Sequence, residues 1–531
     1  MKRPPAYAIW SHFAPSRDGS LSIQEQLVRF FRQEVAKGAL RQGTRGPASR
    51  ALAQELGLAR GTVSGAYERL VAEGFLVTRH GFGTIVAGEP QDLQIEDLQI
   101  EDLQIEDLQI EELGIQKRSI AAGMAAPRAP RGPAGSSRAR ELMTSRLLTT
   151  RGDWPLTPGV PALDAFPFAL WGRLSARFHR SLTASGLAYG EPLGYRPLRE
   201  AIAGYVGAAR GITCAAENVL VTTGTQMATY IAALAATDRG EPVWVEDPGY
   251  DGTRLVMRLA DLRAVAVRVD GEGMDVAHGL SLEAGARLAV VSPSHQFPTG
   301  VVMSLTRRLK LIDWASRAGA YVIEDDYDSE FRYDGEPVAS LKALDRERGR
   351  VLYVGTLSKV LAPGLRLGFL IVPDRLIDAA RAVRCALDRQ VSLPLQAIAS
   401  EFIGNGHLGQ HIRKLRGVYA ERRAALLAAL ASLGSGLFRV SGAATGVHVL
   451  GELPQDTDDL AVARRARARR VGVEPLAAYR MSHDLPPRPA LLIGFANTPP
   501  ETMREAVAIV TDAIERERDA ALPSRAEAFA K

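Results

Sequence analysis

The sequence of 531 residues predicts a multidomain chain: a winged helix-turn-helix module at the N-terminus, then an α/β body with a large, mainly parallel-sheet domain and a smaller C-terminal domain. Three observations predict it. Residues 22–86 carry three successive helical patterns and then an alternating run. Beyond residue 152, six short apolar runs alternate with helical patterns. Between these parts, residues 88–150 show no periodicity suited to a core. At about 100–200 residues per domain, such a length calls for several folded units. A content of 46% hydrophobic and 24% charged residues suits buried cores and argues against wholesale disorder.

The two cysteines, Cys214 and Cys385, are too far apart to staple a scaffold and give no metal-ligand spacing. The N-terminal MKRPPAYAIWSHF has no apolar stretch of signal length, and no run of 18 apolar residues occurs. The expectation is a cytoplasmic protein without a membrane partner.

In the first module, SIQEQLVRFFRQEVAKGAL has apolar residues at helical spacing and closes on Gly38. ASRALAQELGL reads as a short second helix and ARGTVSGAYERLVAEGF as a third. VTRHGFGTIVA alternates and turns at Gly81 and Gly83, a β-hairpin wing. The turn LGLARGTV puts Arg60, Thr62 and Ser64 at the start of the third helix, the end that reads base edges in a major groove. The alternative is a small bundle for protein contacts, with Arg50 and Arg60 as ordinary surface charges.

Residues 92–111 repeat DLQIE four times. A five-residue step turns each leucine by roughly 140° around a helix, so no coherent apolar face forms. Residues 113–150 are rich in Ala, Gly, Pro, Ser and Arg. Residues 88–150 are therefore expected to be a flexible linker, spanning roughly 40–45 Å as a coil, between a module at 1–87 and a body at 151–531. The net charge of +5 conceals alternation: Lys+Arg against Asp+Glu is 12 to 7 over residues 1–90, 0 to 9 over 91–112 and 8 to 1 over 113–151. The modest excess in the module implies that two modules share one operator, hence a dimer.

In the body, NVLVTTG, PVWVEDPGY, LAVVSP, AYVIEDDYDSEF, VLYVGTLSK and LGFLIVP are strands, with functional residues expected just beyond their ends. VLYVGTLSKVLAPGLRLG sets Lys359 after a buried strand, among small hydroxyl residues, with Arg366 seven positions on. That is an amine for an imine and a fork for a phosphate, the needs of an aldehyde cofactor. Asp325 can keep a pyridine nitrogen protonated, and Tyr327, two residues on, shares its side of the strand. The acidic cluster could instead hold Mg²⁺.

SRALAQELGLARGTVSGAYERLVAEGFLVTRHGFGT resembles the GntR-type winged-helix family. The resemblance implies that Arg50 and Arg60 meet double-stranded DNA, that Thr62 and Ser64 line the groove, and that His80 and Gly81 of the wing approach the minor groove. The usual Leu-Pro-Ser before the second helix is replaced by Gly46, Pro47, Ala48 and Ser49. Residues 155–520 resemble fold-type I pyridoxal 5'-phosphate (PLP) enzymes of the aspartate aminotransferase superfamily. YGEPLGYRPLREAIAGYV, TTGTQMA, EDPGYDG, SPSHQFPTG, EDDYDSEF and GTLSKVLAPGLRLG together resemble the MocR subfamily of GntR regulators, which fuse an aminotransferase-like domain behind the winged helix.

The resemblance implies that Lys359 is the imine-forming residue, that Asp325 pairs with the pyridinium, that Tyr327 binds the phenolic oxygen and that Tyr250 stacks near the ring. Gly224, Thr225, Gln226, Thr356 and Arg366 would hold the phosphate, with Tyr189 reaching in from the partner of a homodimer. No metal is implied. Phe297 stands where aminotransferases commonly have Asn, and Leu492 where many place the Arg that binds a carboxylate; Arg254 and Arg488 are the candidate substitutes. The function implied is PLP-dependent transcription regulation of amine, amino-acid or vitamin B6 metabolism, with a small amine or amino-acid effector. The alternatives are a working aminotransferase with an accessory DNA-binding domain and a cofactor-free dimerisation scaffold.

Overall fold

The computed structural model describes residues 13, 15, 21–36, 40, 43–44, 46–72, 75–79, 83–86, 136–143, 154–335, 338–482 and 488–529. The chain divides into two compact units, Met1–Arg128 and Ala129–Lys531. The DLQIE repeat lies outside the described residues. Within the segment expected to be linker, Ser137–Leu142 is helical, and Ser136 Oγ accepts from Ala139 N at 3.2 Å.

In the first unit, α1 (Ile23–Ala36), α2 (Ser49–Glu55) and α3 (Arg60–Ala72) precede an antiparallel hairpin of β1 (Leu76–Arg79) and β2 (Gly83–Val86). Leu27, Phe31 and Val35 recur every four residues along α1 and bury one stripe against Leu52 of α2 and Val63, Ala66 and Leu70 of α3. The helix-turn-helix pattern is thus met. Gly83 begins β2 instead of forming the turn, because it pairs with Arg79. The departure before α2 has a structural trace: the N-cap is Ala48, with no side-chain cap, and Ser49 is the first helical residue.

The second unit holds an eight-stranded sheet in the order β3-β10-β9-β8-β7-β4-β5-β6. Its strands are β3 (Val219–Thr222), β4 (Pro242–Asp247), β5 (Arg263–Asp270), β6 (Gly273–Met274), β7 (Leu288–Val291), β8 (Tyr321–Asp326), β9 (Val351–Thr356) and β10 (Gly368–Ile371). Strands β5, β4, β7, β8 and β9 run parallel, as expected, and β10 runs antiparallel to both β9 and β3. Alternation feeds two cores: Val243, Val245, Leu288 and Val290 enter one, and Trp244, Ala289 and Val291 enter the other. Trp244 stacks on Trp314 there, with ring centroids 4.0 Å apart.

The smaller C-terminal part carries a four-stranded antiparallel sheet, β11-β12-β14-β13, formed by β11 (Arg439–Ser441), β12 (His448–Glu452), β13 (Glu474–Pro475) and β14 (Ala490–Gly494). The long helices His407–Leu433 and Pro500–Phe529 pack on each other and share a buried core with its strands. Among the described residues no helix is long and apolar enough to cross a membrane.

Candidate functional site

Strands that run parallel end at one edge, and there the body opens into a cavity lined by residues from seven segments. The loop after β9 brings Thr356, Ser358 and Lys359; β8 brings Asp325 and Tyr327; the loop after β4 brings Tyr250; the turn after β3 brings Gly224, Thr225 and Gln226. Because β10 is antiparallel, its start lies at the same edge. Gly368 faces both Thr222 and Thr356, so Arg366, two residues earlier, meets the Gly224 turn. Nine of the ten residues expected to bind the cofactor therefore line one cavity.

The tenth, Tyr189, does not line it. Its side chain is 78% exposed, and the Arg389 guanidinium lies 4.3 Å from its ring centroid. Gly159, Ser292, Phe297, Pro363 and His448 complete the lining. His448 sits on β12 in the apolar run GVHVL, where a lone histidine reads as a core residue; no local signal points to the cavity.

Period-two alternation sorts the carboxyls of EDDYDSEF. Asp325 and Tyr327 face the cavity. Glu324 faces away and accepts from Leu341 N at 3.0 Å and Lys342 N at 2.8 Å. Asp326 is paired with Arg210 at 2.7 Å and accepts from Tyr353 Oη at 2.8 Å. Burial, reinforced by Asp326 and opposed by Lys359, pushes Asp325 up to about 7. Burial also lifts the Tyr327 phenol far above its ordinary range, helped by Asp328, Asp325, Glu246 and Asp326. It holds His448 well below the usual imidazole value, with help from His295 and Lys359.

At the other end, the helix Thr225–Ala236 begins in the cavity wall, where Gly224, Thr225 and Gln226 line it with the helix end whose amide groups lack intrahelical partners. Gly224 has φ +131°, and a Cβ there would lie 3.1 Å from an Arg366 guanidinium nitrogen. Thr222 Oγ1 donates to Gly224 O at 3.0 Å and pins the turn. Thr356 Oγ1 accepts from Ser358 N at 3.1 Å. Lys359 Nζ donates to Gly159 O.

These features fit a pyridine ring bearing a phosphate. Asp325 Oδ1 is buried without a hydrogen-bond partner, the position a ring N–H would satisfy. The Gly224–Arg366 cradle suits an anion at the opposite end. The alternative of Mg²⁺ at the acidic cluster does not match this arrangement, because alternation turns the neighbouring carboxyls Glu324 and Asp326 away from Asp325.

The two candidate carboxylate binders lie elsewhere. Arg254 donates to Arg480 O at 3.1 Å and Asp251 Oδ1 at 2.7 Å, and Arg488 is held at the surface by Glu452. Neither lines the cavity. Leu492 is buried beside Phe297 and Tyr479 in an apolar cluster. In the N-terminal unit, Arg50 and Arg60 are exposed on α2 and at the start of α3, and Thr62 and Ser64 are half-buried on the first turns of α3. His80 and Gly81 lie outside the described residues.

Residues 175–510 match the aminotransferase class I and II family, and residues 23–86 match the gntR family of bacterial regulatory proteins. The chain is 33% identical over 492 residues to the probable rhizopine catabolism regulatory protein MocR of Rhizobium meliloti, covering 92% of this chain and 93% of that one. It is 32% identical over 471 residues to the HTH-type transcriptional regulator TauR of Rhodobacter capsulatus, covering 87% and 90%. Among solved structures, Pyrococcus horikoshii kynurenine aminotransferase in complex with PMP superposes with a TM-score of 0.63 at 27% identity, over 72% of this chain and 95% of that one.

Proposed function

Because this chain belongs to the MocR-type regulators, in which a gntR module is joined to an aminotransferase class I and II body, we propose that it senses a small amine through PLP held at Lys359 and answers by changing its affinity for an operator as a homodimer. It is a transcriptional regulator that binds operator DNA, and its body binds PLP. The observation that carries the sensing role is the convergence of Lys359, Asp325, Tyr327 and the Gly224–Arg366 cradle on one cavity.

When bound, PLP supplies an aldehyde that condenses with amines and a protonated ring that withdraws electrons. The chain's residues provide the rest. Asp325, as a carboxylate, would stabilise the ring N–H, Tyr327 would meet the phenolic oxygen, and Tyr250 would cover a ring face. The helix start at Thr225, with Gln226, Thr356 and Arg366, holds the phosphate. Lys359 Nζ would be the amine that holds the cofactor at its aldehyde carbon, and, when an effector amine takes that place, the group nearest to hold or move a proton there. The effector changes DNA binding only to the extent that it prefers the state that binds DNA better or worse. Tyr189, exposed in the single chain, is available to a second copy. In the N-terminal unit, Arg50 and Arg60 contact DNA, and Thr62 and Ser64 line the groove.

A second reading, turnover of an amino donor, is favoured by the full polar set around Lys359. The same preparation separates the readings. The loaded protein should show a visible absorbance band that Lys359→Ala removes and Arg60→Ala keeps, while Arg60→Ala moves the operator gel shift to higher protein concentration. An amine that moves both band and shift without sustained turnover supports sensing. Steady-state transamination on the order of 1–1000 per second, with no effect of any amine on the gel shift, would overturn it.

A further inference from the structure

The wall that carries Tyr327 is backed by His295 and Asp328, each 1% exposed. His295 Nδ1 lies 2.9 Å from Asp328 Oδ2 and 3.1 Å from Tyr327 Oη. One ring nitrogen facing two oxygens restricts where the protons lie. If Nδ1 accepted the Tyr327 hydroxyl, its lone pair would face the Asp328 carboxylate at 2.9 Å. If Nδ1 carries the hydrogen, it donates to Asp328 and also faces the Tyr327 oxygen. The tyrosine then accepts on that side, and its own O–H is left to point into the cavity.

The ring has little freedom to do otherwise. A Cβ on Gly446 would lie 2.0 Å from His295 Cε1 and 2.5 Å from Asp328 Oδ2, so the backbone presses directly on this pair. On the other side the His448 ring lies 4.6 Å away, centroid to centroid. The charged and titratable groups whose fields reach the cluster are Asp325, Glu246, His448 and Lys359, with Asp326 acting from the opposite side of the strand. The residue before Pro298, which faces Tyr327 from the cavity side, is Phe297, and it offers no polar side-chain atom.

We propose that His295, oriented by Asp328, is a positioning residue that makes the Tyr327 hydroxyl a fixed donor toward the phenolic oxygen of the cofactor. The inference rests on the reading that Tyr327 faces that oxygen. A donor there competes with the proton on the neighbouring nitrogen for the oxygen's negative charge. Loss of the donor lets that nitrogen keep its proton to higher pH. His295, Asp328 and His448 also bring ligand atoms within 4.8 Å of one another. A divalent cation would need Nδ1 as a bare lone pair or a turned ring, and the packing of Gly446 and Gly300 against the ring opposes the turn.

The test is a pH titration of the visible band of the PLP-loaded full-length protein. Tyr327→Phe should move its midpoint upward by about one pH unit, and His295→Leu should move it in the same direction. His295→Asn, whose amide N–H can replace Nδ1–H, should restore most of the original midpoint. Adding His295→Leu to Tyr327→Phe should produce no further movement. If Tyr327→Phe moves nothing, the reading of Tyr327 fails. If Tyr327→Phe moves the midpoint and His295→Leu does not, the positioning role fails while that reading survives. A chelator that reproduces the His295→Leu shift in the unmodified protein would replace the inference with a metal centre. Should His295→Leu not fold, Asp328→Asn serves in its place, with a smaller shift of the same sign.

Discussion

Asp325 and Asp326 are consecutive on β8 and face opposite ways: Asp325 lines the cavity with Oδ1 unpartnered, while Asp326 is buried against Arg210 at 2.7 Å. Their substitutions should therefore differ in kind. Asp326→Asn leaves a buried guanidinium without its ion pair and should cost about 3–5 kcal/mol of stability in a denaturant titration. Asp325→Asn should leave the cofactor-free protein at least as stable and weaken PLP uptake by about tenfold or more, a lost charged hydrogen bond of about 1.5–3 kcal/mol. Equal effects of both on stability would remove the distinction.

Gly224→Ala should impair loading without unfolding the chain. Its φ of +131° is strained for any residue with a Cβ, and the added atom would press on Arg366 at 3.1 Å. The expected result is a PLP affinity about tenfold weaker, at a cost of roughly 1–3 kcal/mol, with part of the affinity for free inorganic phosphate lost as well. Equilibrium dialysis against each ligand checks it.

Glu246 gives the cofactor-free protein a pH dependence of stability. Burial pushes this carboxyl up to about 8, despite hydrogen bonds from Gln296 and the Ser292 amide. A raised acid binds its proton more tightly when folded, so its stabilisation is complete below the ordinary value of 4.5 and fades as pH rises toward 8. Glu246→Gln should remove this loss. Between pH 5 and pH 8, stability of the variant relative to the unmodified protein should rise by on the order of a few kcal/mol, read from urea midpoints at each pH. A pH-independent difference would show that Glu246 does not titrate there.

On the DNA side, Arg60 at the start of α3 and Arg50 on α2 are both exposed. Arg60→Ala should weaken operator binding by about 10- to 100-fold, as expected for a base contact of about 1–3 kcal/mol. Arg50→Ala should weaken specific and unrelated DNA alike and lower the salt slope by about one. Fluorescence anisotropy across a salt series distinguishes the two outcomes.

Much of this architecture is legible in residue order. The four-residue stripe of Leu27, Phe31 and Val35, and the runs VWVED, VIEDD and LYVGT, appear as a helix and strands because burial period follows backbone geometry. The wing contacts expected at His80 and Gly81 lie outside the described residues. Arg263–Asp270 is less legible as a strand, since its run of Ala and Val does not alternate with polar residues and its two arginines stand five positions apart. Residue order does not show that Arg254 and Arg488 are engaged by Asp251 and Glu452 away from the cavity.

Residue order alone sets the local sidedness of the residues proposed to carry the chemistry. Asp325 and Tyr327 share a face because a strand repeats every two residues, and Gly224 precedes a helix start because the pattern after it is helical. Only the tertiary structure decided which distant pieces meet. Antiparallel insertion of β10 between β3 and β9 carries Arg366 to Gly224, the second sheet brings His448 to the cavity, and the Gly446 backbone fixes His295 between Asp328 and Tyr327. These approaches depend on strand order and packing between segments far apart in the chain, which no local period encodes.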